Sequence, residues 1–298
     1  MISLATARLT LSLCLAIATP ASAKADGTGN IAVGPQYGST HAYIAPDQVD
    51  RLVTSLIATF GGQASPPANV NVTPVPSLTI SRVVSTPVGL LSVFGFKTPI
   101  PYPFGEERTG YLVTDVDAAV AAARRAGAEI VVSPYPDAIG RDANIRWPGG
   151  VTMQLYWHTK APSYPPLASI PDNRVYLSGD QADAFIRDFM AFSGAQVITD
   201  DPRAPGIEIG RPGDAYGRVH IVSAFGNLTV LVTDGHLPWP YGREVTGYEA
   251  ANFAATLSKA TSAGVEILAG PYGSGAHDAA MVRFPGGYIA EIHAPRSD

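Results

Sequence analysis

Cysteine is nearly missing from this chain: Cys14 is the only one in 298 residues. That excludes a disulfide scaffold, a thiol nucleophile and thiolate metal sites, so any metal would rest on His, Asp, Glu, Gln or water. Charge is also sparse, at 15% of residues with a net value of −5. Such a balance offers no global attraction to nucleic acid or to an anionic membrane. Beyond the first two dozen residues no apolar run reaches the ~18 residues of a membrane span. Several catalytic signatures are absent as well: the chain has no Gly-x-x-x-x-Gly-Lys phosphate loop, no His-Glu-x-x-His and no Gly-x-Ser-x-Gly elbow.

What the chain does have is hydrophobic residues at 46%, with Gly 30 and Pro 26. This is the composition of a folded, turn-rich, sheet-rich protein of one or two domains. Residues 1–23 read as an export signal: Arg8, an apolar run from Leu9 to Ala18, then Ala21-Ser22-Ala23 as the cleavage pattern. The expectation is a periplasmic or secreted protein beginning near Lys24, cysteine-free and out of the membrane after cleavage.

The strongest feature is an internal repeat. Gly110-Tyr111 through Trp157 matches Gly247-Tyr248 through Ala294 without a gap, at a shift of 137 residues. Ala126-Gly127-Ala128-Glu129-Ile130 recurs as Ala263-Gly264-Val265-Glu266-Ile267, and Arg146-Trp147-Pro148-Gly149-Gly150 as Arg283-Phe284-Pro285-Gly286-Gly287. A weaker match links His41-Ala42-Tyr43-Ile44 to Arg174-Val175-Tyr176-Leu177. Each match leads into a helix with one apolar stripe: Val49, Leu52, Val53, Leu56, Ile57 and Phe60 in the first, Ala182, Phe185, Ile186 and Phe189 in the second. Asp47 and Asp115 are candidate N-caps, and Gly61, Gly127, Gly194 and Gly264 candidate stops. A further helix is expected over about 249–263. Short apolar or alternating runs follow each helix. The unit is therefore strand, helix, about three strands, repeated four times. Two units make a module: residues 24–161 and 173–298, joined by a stiff Pro-rich linker over 162–172.

This arrangement resembles the vicinal oxygen chelate superfamily, which includes glyoxalases, bleomycin-resistance proteins and extradiol dioxygenases. The turns Pro148-Gly149-Gly150 and Pro285-Gly286-Gly287, followed by Gln154 and Glu291 on the last strands, carry the resemblance. It implies an α+β fold: four βαβββ units forming two modules of curled mixed sheet, each a cup able to hold a ligand or metal. The family's metal ligands lie on the first strand of each unit, usually His, and on the last strand, usually Glu. Here those positions fall on His41, near Arg108, on Arg174, near Val245, on Gln154 and on Glu291. Neither module keeps the two-His, one-carboxylate set of an extradiol dioxygenase.

Two pairings are open. Adjacent units would place His41, Arg108 and Gln154 in one cup, and Arg174 with Glu291, as an ion pair, in the other. Exchanged units would join His41 to Glu291, which with His293 or water could hold Zn, Ni, Mn or Fe. The resemblance thus implies a glyoxalase-like lyase or isomerase acting on a small oxygenated compound. Glu291 would be its base, and His41 would be catalytic or metal-ligating. Glutathione-dependent glyoxalase I fits poorly with export. Arg108, Arg174, Gln154, Tyr156 and His293 are candidate substrate-binding residues; salt bridges to Glu107 and Asp172 are the structural alternative for the two arginines. Tyr111 and Tyr248 read as packing residues. The competing function is a metal-free, small-molecule-sequestering protein of the bleomycin-resistance type, with Trp147, Tyr156, Trp157 and Trp239 as cup walls. A third is a structural exported protein with vestigial sites. The expected partner is a small molecule, and the expected state a monomer or homodimer. Ser274, His277 and Asp278 stand too close together for a triad and read as a loop at a cup mouth.

Overall fold

The computed structural model describes residues 31–274 and 277–296, so the expected export signal lies outside the described residues. The first unit runs β1 (Gly38–Tyr43), α1 (Val49–Phe60), β2 (Gln63–Ala64), β3 (Ala68–Val70), β4 (Thr79–Thr86) and β5 (Gly89–Phe96). The second is β6 (Thr109–Leu112), α2 (Val116–Arg125), β7 (Glu129–Pro136), β8 (Gly140–Arg146) and β9 (Thr152–His158). The third is β10 (Asp172–Leu177), α3 (Gly179–Ser193), β11 (Gln196–Pro205), β12 (Ala215–Ser223) and β13 (Gly226–Val232). The fourth is β14 (Val245–Glu249), α4 (Phe253–Ser262), β15 (Glu266–Ser274), β16 (His277–Arg283) and β17 (Ile289–Pro295).

The helices start and stop for the local reasons expected. Asp115 caps α2 by accepting from the Ala118 amide at 2.9 Å, and Asn252, its counterpart under the repeat, does the same for α4 through Ala255. Gly194 ends α3 at φ 64°, and Gly61 ends α1 at φ 79°. Asp47 is not a cap: it sits in a short 3-10 turn, Pro46–Gln48, ahead of α1. In the first unit the outermost strand is broken into β2 and β3, both paired to β4. The intervening Ser65-Pro66-Pro67 supplies the reason, because neither proline can donate to a ladder.

Hydrogen bonding pairs adjacent units. One sheet runs β2-β4-β5-β1-β6-β9-β8-β7, with β3 also on β4; the other runs β11-β12-β13-β10-β14-β17-β16-β15. Each joins its two units at a central antiparallel contact, β1 with β6 and β10 with β14. The exchanged pairing is therefore not formed by the strands, and the linker's last residue, Asp172, is already the first residue of β10.

The hydrophobic cores pair the units the other way. One core joins Val116, Ala119, Trp147 and Leu155 of the second unit to Phe185, Phe189, Phe192 and Val230 of the third. The other joins Leu52, Leu56 and Leu91 of the first unit to Leu257, Val282, Phe284 and Ile292 of the fourth. Helices thus lie between the convex backs of the two sheets, and each core is half from each module. The Pro-Gly-Gly turns seal this arrangement. Gly149, at φ 80°, lies so close to Leu177 of the other module that a Cβ would stand 2.3 Å from its Cδ2; Gly286, at φ 84°, faces Ile44 and Gln48 in the same way. Tyr111 and Tyr248 are packing residues as expected, Tyr111 against Phe225 at 4.9 Å between ring centres and Tyr248 bonded to Tyr288 at 2.7 Å.

Candidate functional site

Strand alternation decides which side chains enter each cup. On β1 Ser39, His41 and Tyr43 face inward while Ala42 joins the core; on β9 Gln154, Tyr156 and His158 face inward while Met153 and Leu155 join the core. Asp142 enters from β8 and Glu107 from the segment before β6. Together they surround a cavity of about 260 Å³. Its walls are apolar and aromatic, from Val70, Val83, Leu90, Phe94, Phe96 and Phe104, with Tyr156 and Tyr164 beside them.

The floor of this N-terminal cup is polar and incompletely satisfied. His41 is 2% exposed and Glu107 0%. Their nearest approach, His41 Nδ1 to Glu107 Oε1, is 4.0 Å, too long for a hydrogen bond. The Tyr43 hydroxyl donates to Glu107 Oε1 in a short contact. Glu107 Oε2 and His41 Nδ1 are buried without a partner, as are both side-chain polar atoms of Asn144, next along β8 on the Asp142 face. Gln154 Nε2 donates to Asp142 Oδ2 at 3.4 Å. Burial, seconded by the Arg108 charge, lowers the His41 pKa to about 3, so its imidazole is neutral. Burial raises Glu107 despite the Tyr43 hydrogen bond. It raises Asp142 well above the ordinary value, with Asp137 and Glu107 adding to the effect. Arg108 is not in the cavity: it lies behind the wall, 5.9 Å over the Tyr43 ring, and donates to the Gly105 carbonyl at 2.7 Å.

The C-terminal cup has the same plan and a different content. Arg174 occupies the place of His41: it pairs with Thr229 across the β10–β13 ladder as His41 pairs with Ser92 across β1–β5. Its guanidinium reaches Asp172 Oδ2 at 2.8 Å and Glu291 Oε1 at 2.5 Å. His293 Nδ1 approaches Glu291 at 3.1 Å, and the Tyr272 hydroxyl donates to it at 3.4 Å. Burial alone would raise the Glu291 pKa, but Arg174, His293 and Tyr272 together hold it below the usual carboxylate value. A second cluster lies on the same sheet: Glu208 accepts from Arg218 at 2.7 Å and, in short contacts, from Tyr216 and Ser274.

His41 and Glu291 therefore stand in different cups, and the metal pair expected from the exchanged arrangement is not formed. The residues of neither cup suit a metal of the family's kind. At the central strand of the second unit Gly110 lies beside His41, where a Cβ would come within 2.5 Å of Nε2, so no second ligand reaches that point. Gln154, an amide, replaces the last-strand carboxylate. In the C-terminal cup the carboxylate remains, but the Arg174 guanidinium holds it and Gly247 lies beside it. Among the described residues no three of His, Cys, Asp and Glu group as a metal would require.

The other sequence candidates fall into place. Arg174 forms its ion pair with Asp172, whereas Arg108 and Glu107 make none. Tyr156 lines the N-terminal cup, but Trp147 is buried in the shared core at 2% exposure and Trp239 is 62% exposed at the surface, so neither is a cup wall. Trp157 packs against the same core. Ser274 and Asp278 do not converge: Ser274 bonds Glu208, and Asp278 pairs with Arg296 at 3.0 Å. Sequence reasoning missed Asp142 and Tyr43, and took Glu107 only as an ion-pair partner. One signal for Glu107 was present: the 137-residue shift sets it opposite Glu244, a half-buried carboxyl ahead of a central strand.

No family model matches the chain, and no curated protein matches it in sequence. Solved structures do match. A triple mutant of 4-hydroxymandelate synthase from Streptomyces coelicolor superposes with TM-score 0.60 at 14% identity, over 91% of this chain and 95% of that one. An Mn(II)-bound glyoxalase from Novosphingobium aromaticivorans gives 0.57 at 12%, over 89% and 82%. The 2,3-dioxygenase LapB from Pseudomonas sp. KL28 gives 0.54 at 10%, over 90% and 94%. The chain shares the fold of these structures, the two-module fold that its resemblance to the vicinal oxygen chelate superfamily implied. Within that fold, two curled sheets of two units each, the chain is distinguished by the departures above: one cup encloses a cavity lined by buried polar groups without a cation, and the other holds its carboxylates with its own arginine. Among the described residues no helix is long and apolar enough to cross a membrane.

Proposed function

We propose that this protein binds a small organic molecule in its N-terminal cup, with the apolar body of the ligand against the Phe94, Phe96 and Phe104 wall and its polar end on the His41–Glu107–Asp142 floor. Binding uses side chains alone, since the donor set does not fit a metal. The observation that carries this reading is the coincidence of a cavity of about 260 Å³ with buried polar atoms, His41 Nδ1 and Glu107 Oε2, that lack partners. Buried polar groups are nearly always paired, and an unpaired one costs about 1–3 kcal/mol. Both atoms lie just beneath the cavity surface, so a ligand recovers that cost once a small side-chain movement presents them. At ~30 Å³ of liquid volume per water, the space holds a compound of modest size, on the order of ten non-hydrogen atoms. The export signal expected at residues 1–23 places this activity outside the cytoplasm.

The lyase or isomerase reading loses its base in the C-terminal cup. A carboxylate held by Arg174 and kept below its ordinary pKa is a weak proton acceptor. One observation favours proton abstraction in the N-terminal cup instead: Glu107, which lines the cavity, has no cationic partner holding its carboxyl.

The test is a thermal-shift and NMR screen of small aromatic and alicyclic compounds, with and without EDTA, on the protein and on Ser92→Phe. Ser92 lines the cavity beside His41, and a phenyl ring there fills it. Hits that persist in EDTA and vanish in Ser92→Phe support the reading. Hits that need a divalent metal, or that survive in Ser92→Phe, contradict it. Hydrogen–deuterium exchange into a bound carbonyl compound, lost in Glu107→Gln, would establish turnover in the same cup.

A further inference from the structure

The two cups differ chiefly in where their positive charge is. In the C-terminal cup the guanidinium of Arg174 lies between Asp172 and Glu291, at 2.8 and 2.5 Å, with the Tyr272 hydroxyl on the same carboxylate. In the N-terminal cup the equivalent strand position carries His41, shorter and neutral. Three carboxyl groups, Glu107, Asp137 and Asp142, line that cavity and no lysine or arginine does. None of the three makes an ion pair with a lysine or arginine, and Glu107 and Asp142 are only 0% and 5% exposed. Aromatic rings stand over the same space: Tyr43, Phe94 and Tyr156. At the positions equivalent to Asp172 and Glu291 this cup carries Ser39 and Gln154, and its carboxyl groups come from Glu107, Asp137 and Asp142 instead, without a cation beside them.

We propose, resting on the reading of this cup as a ligand site, that the N-terminal cup takes an organic cation: an amine, amidinium or guanidinium on a small apolar or aromatic body, seated among Glu107, Asp137 and Asp142. The carboxyl groups of Glu107, Asp137 and Asp142 around the cavity attract a cation and accept its hydrogen bonds, and the ring faces of Tyr43 and Tyr156 favour positive charge. Arg108 is outside the cavity lining and spends a hydrogen bond on the Gly105 carbonyl, so it does not fill the place of the cation.

Three nearly isosteric probes separate charge from shape: benzamidine, benzamide and benzoate, titrated by calorimetry into the protein. The cation should bind about tenfold or more tighter than the neutral amide, since hydrogen bonds to charged groups are roughly twice as strong as neutral ones, and benzoate should bind weakest. Asp142→Asn and Glu107→Gln, both close in shape to the native side chains, should each erase most of the preference for benzamidine over benzamide. Equal or tighter binding of benzamide overturns the cation assignment while leaving the cup a ligand site. Benzamidine binding that is unchanged in both variants overturns it too, because the cation then sits elsewhere. If none of the three binds while the wider screen yields neutral hits lost in Ser92→Phe, the cation assignment alone fails. A screen with no hits in the cup removes the binding reading itself. The comparison of probes on the native protein stands even if a variant folds poorly.

Discussion

Asp142 sits where an ionised carboxylate is badly solvated: 5% exposed, near Asp137 and Glu107, with the Gln154 amide as its hydrogen-bond donor. Its folded pKa lies above its unfolded one, so the native state holds the extra proton. The stability it contributes is complete below the ordinary carboxylate value of 3.8 and is lost as pH rises through the folded value. Asp142→Asn should therefore raise the unfolding midpoint at pH 8 by a few degrees, the scale of about 1 kcal/mol in a chain of this size, and should change little at pH 4. Calorimetric melts at the two pH values check this; an equal effect at both would contradict the assigned burial. The opposite logic holds in the C-terminal cup. Arg174→Met leaves Asp172 and Glu291 buried without a cation and should cost about 3–5 kcal/mol in urea unfolding. Glu291→Gln leaves Arg174 its Asp172 partner and should cost less, about 1–3 kcal/mol. Neither change should alter ligand binding in the N-terminal cup, and a loss of binding in Glu291→Gln would restore the C-terminal cup as the active one.

At the scale of elements, most of the architecture was legible. Helical stripes, caps and glycine stops are local signals, and the gapless repeat located α4, although its cap, Asn252, emerged only in the structure. The split strand of the first unit was not read, because Ser65-Pro66-Pro67 looks like a loop until a neighbour strand pairs on both sides of it. The site was half legible. His41 and Gln154 came from their places in the family pattern, and Tyr156 from the aromatic residues expected as cup walls. Asp142 and Asn144 did not, because polar residues alternating with Ala143 and Ile145 normally mark a solvent face, and only closure of the sheet turns that face inward. The Pro-Gly-Gly turns were recognised by their sequence, but their role as seats for the other module depends on tertiary contact. That role is testable. Gly149 and Gly150 both have φ near +80°, yet only Gly149 abuts Leu177; a Cβ at Gly150 meets nothing within 4 Å. Gly150→Ala should cost only the backbone term, about 1–2 kcal/mol, and Gly149→Ala a further ~1–3 kcal/mol from overpacking. Equal losses would mean that the turn does not bear on the other module.

For the molecule as a whole, the sequence left two pairings open and the structure uses both: strands join adjacent units, cores join exchanged ones. The boundaries at 24–161 and 173–298 enclose one sheet each, while the two large cores draw on both modules. Expressed alone, either half should lack cooperative unfolding, since its helices lose the partner face that buries Trp147 and Phe284, whereas mixing the halves should restore a cooperative melt. A half that melts cooperatively by itself would contradict the shared-core account. Sharing also explains how one cup could be closed by an ion network while the other stayed open: the scaffold is held by the backs of the sheets, which frees the cups from a structural duty. The central claim is that function resides in the open, N-terminal cup. The most direct measurement is a long-range 1H–15N correlation spectrum of the six histidine rings, recorded as a cup ligand is titrated in EDTA. The account predicts that the His41 ring nitrogens shift with saturation while those of His293, beside Glu291, stay fixed; shifts at His293 with His41 unchanged would contradict it.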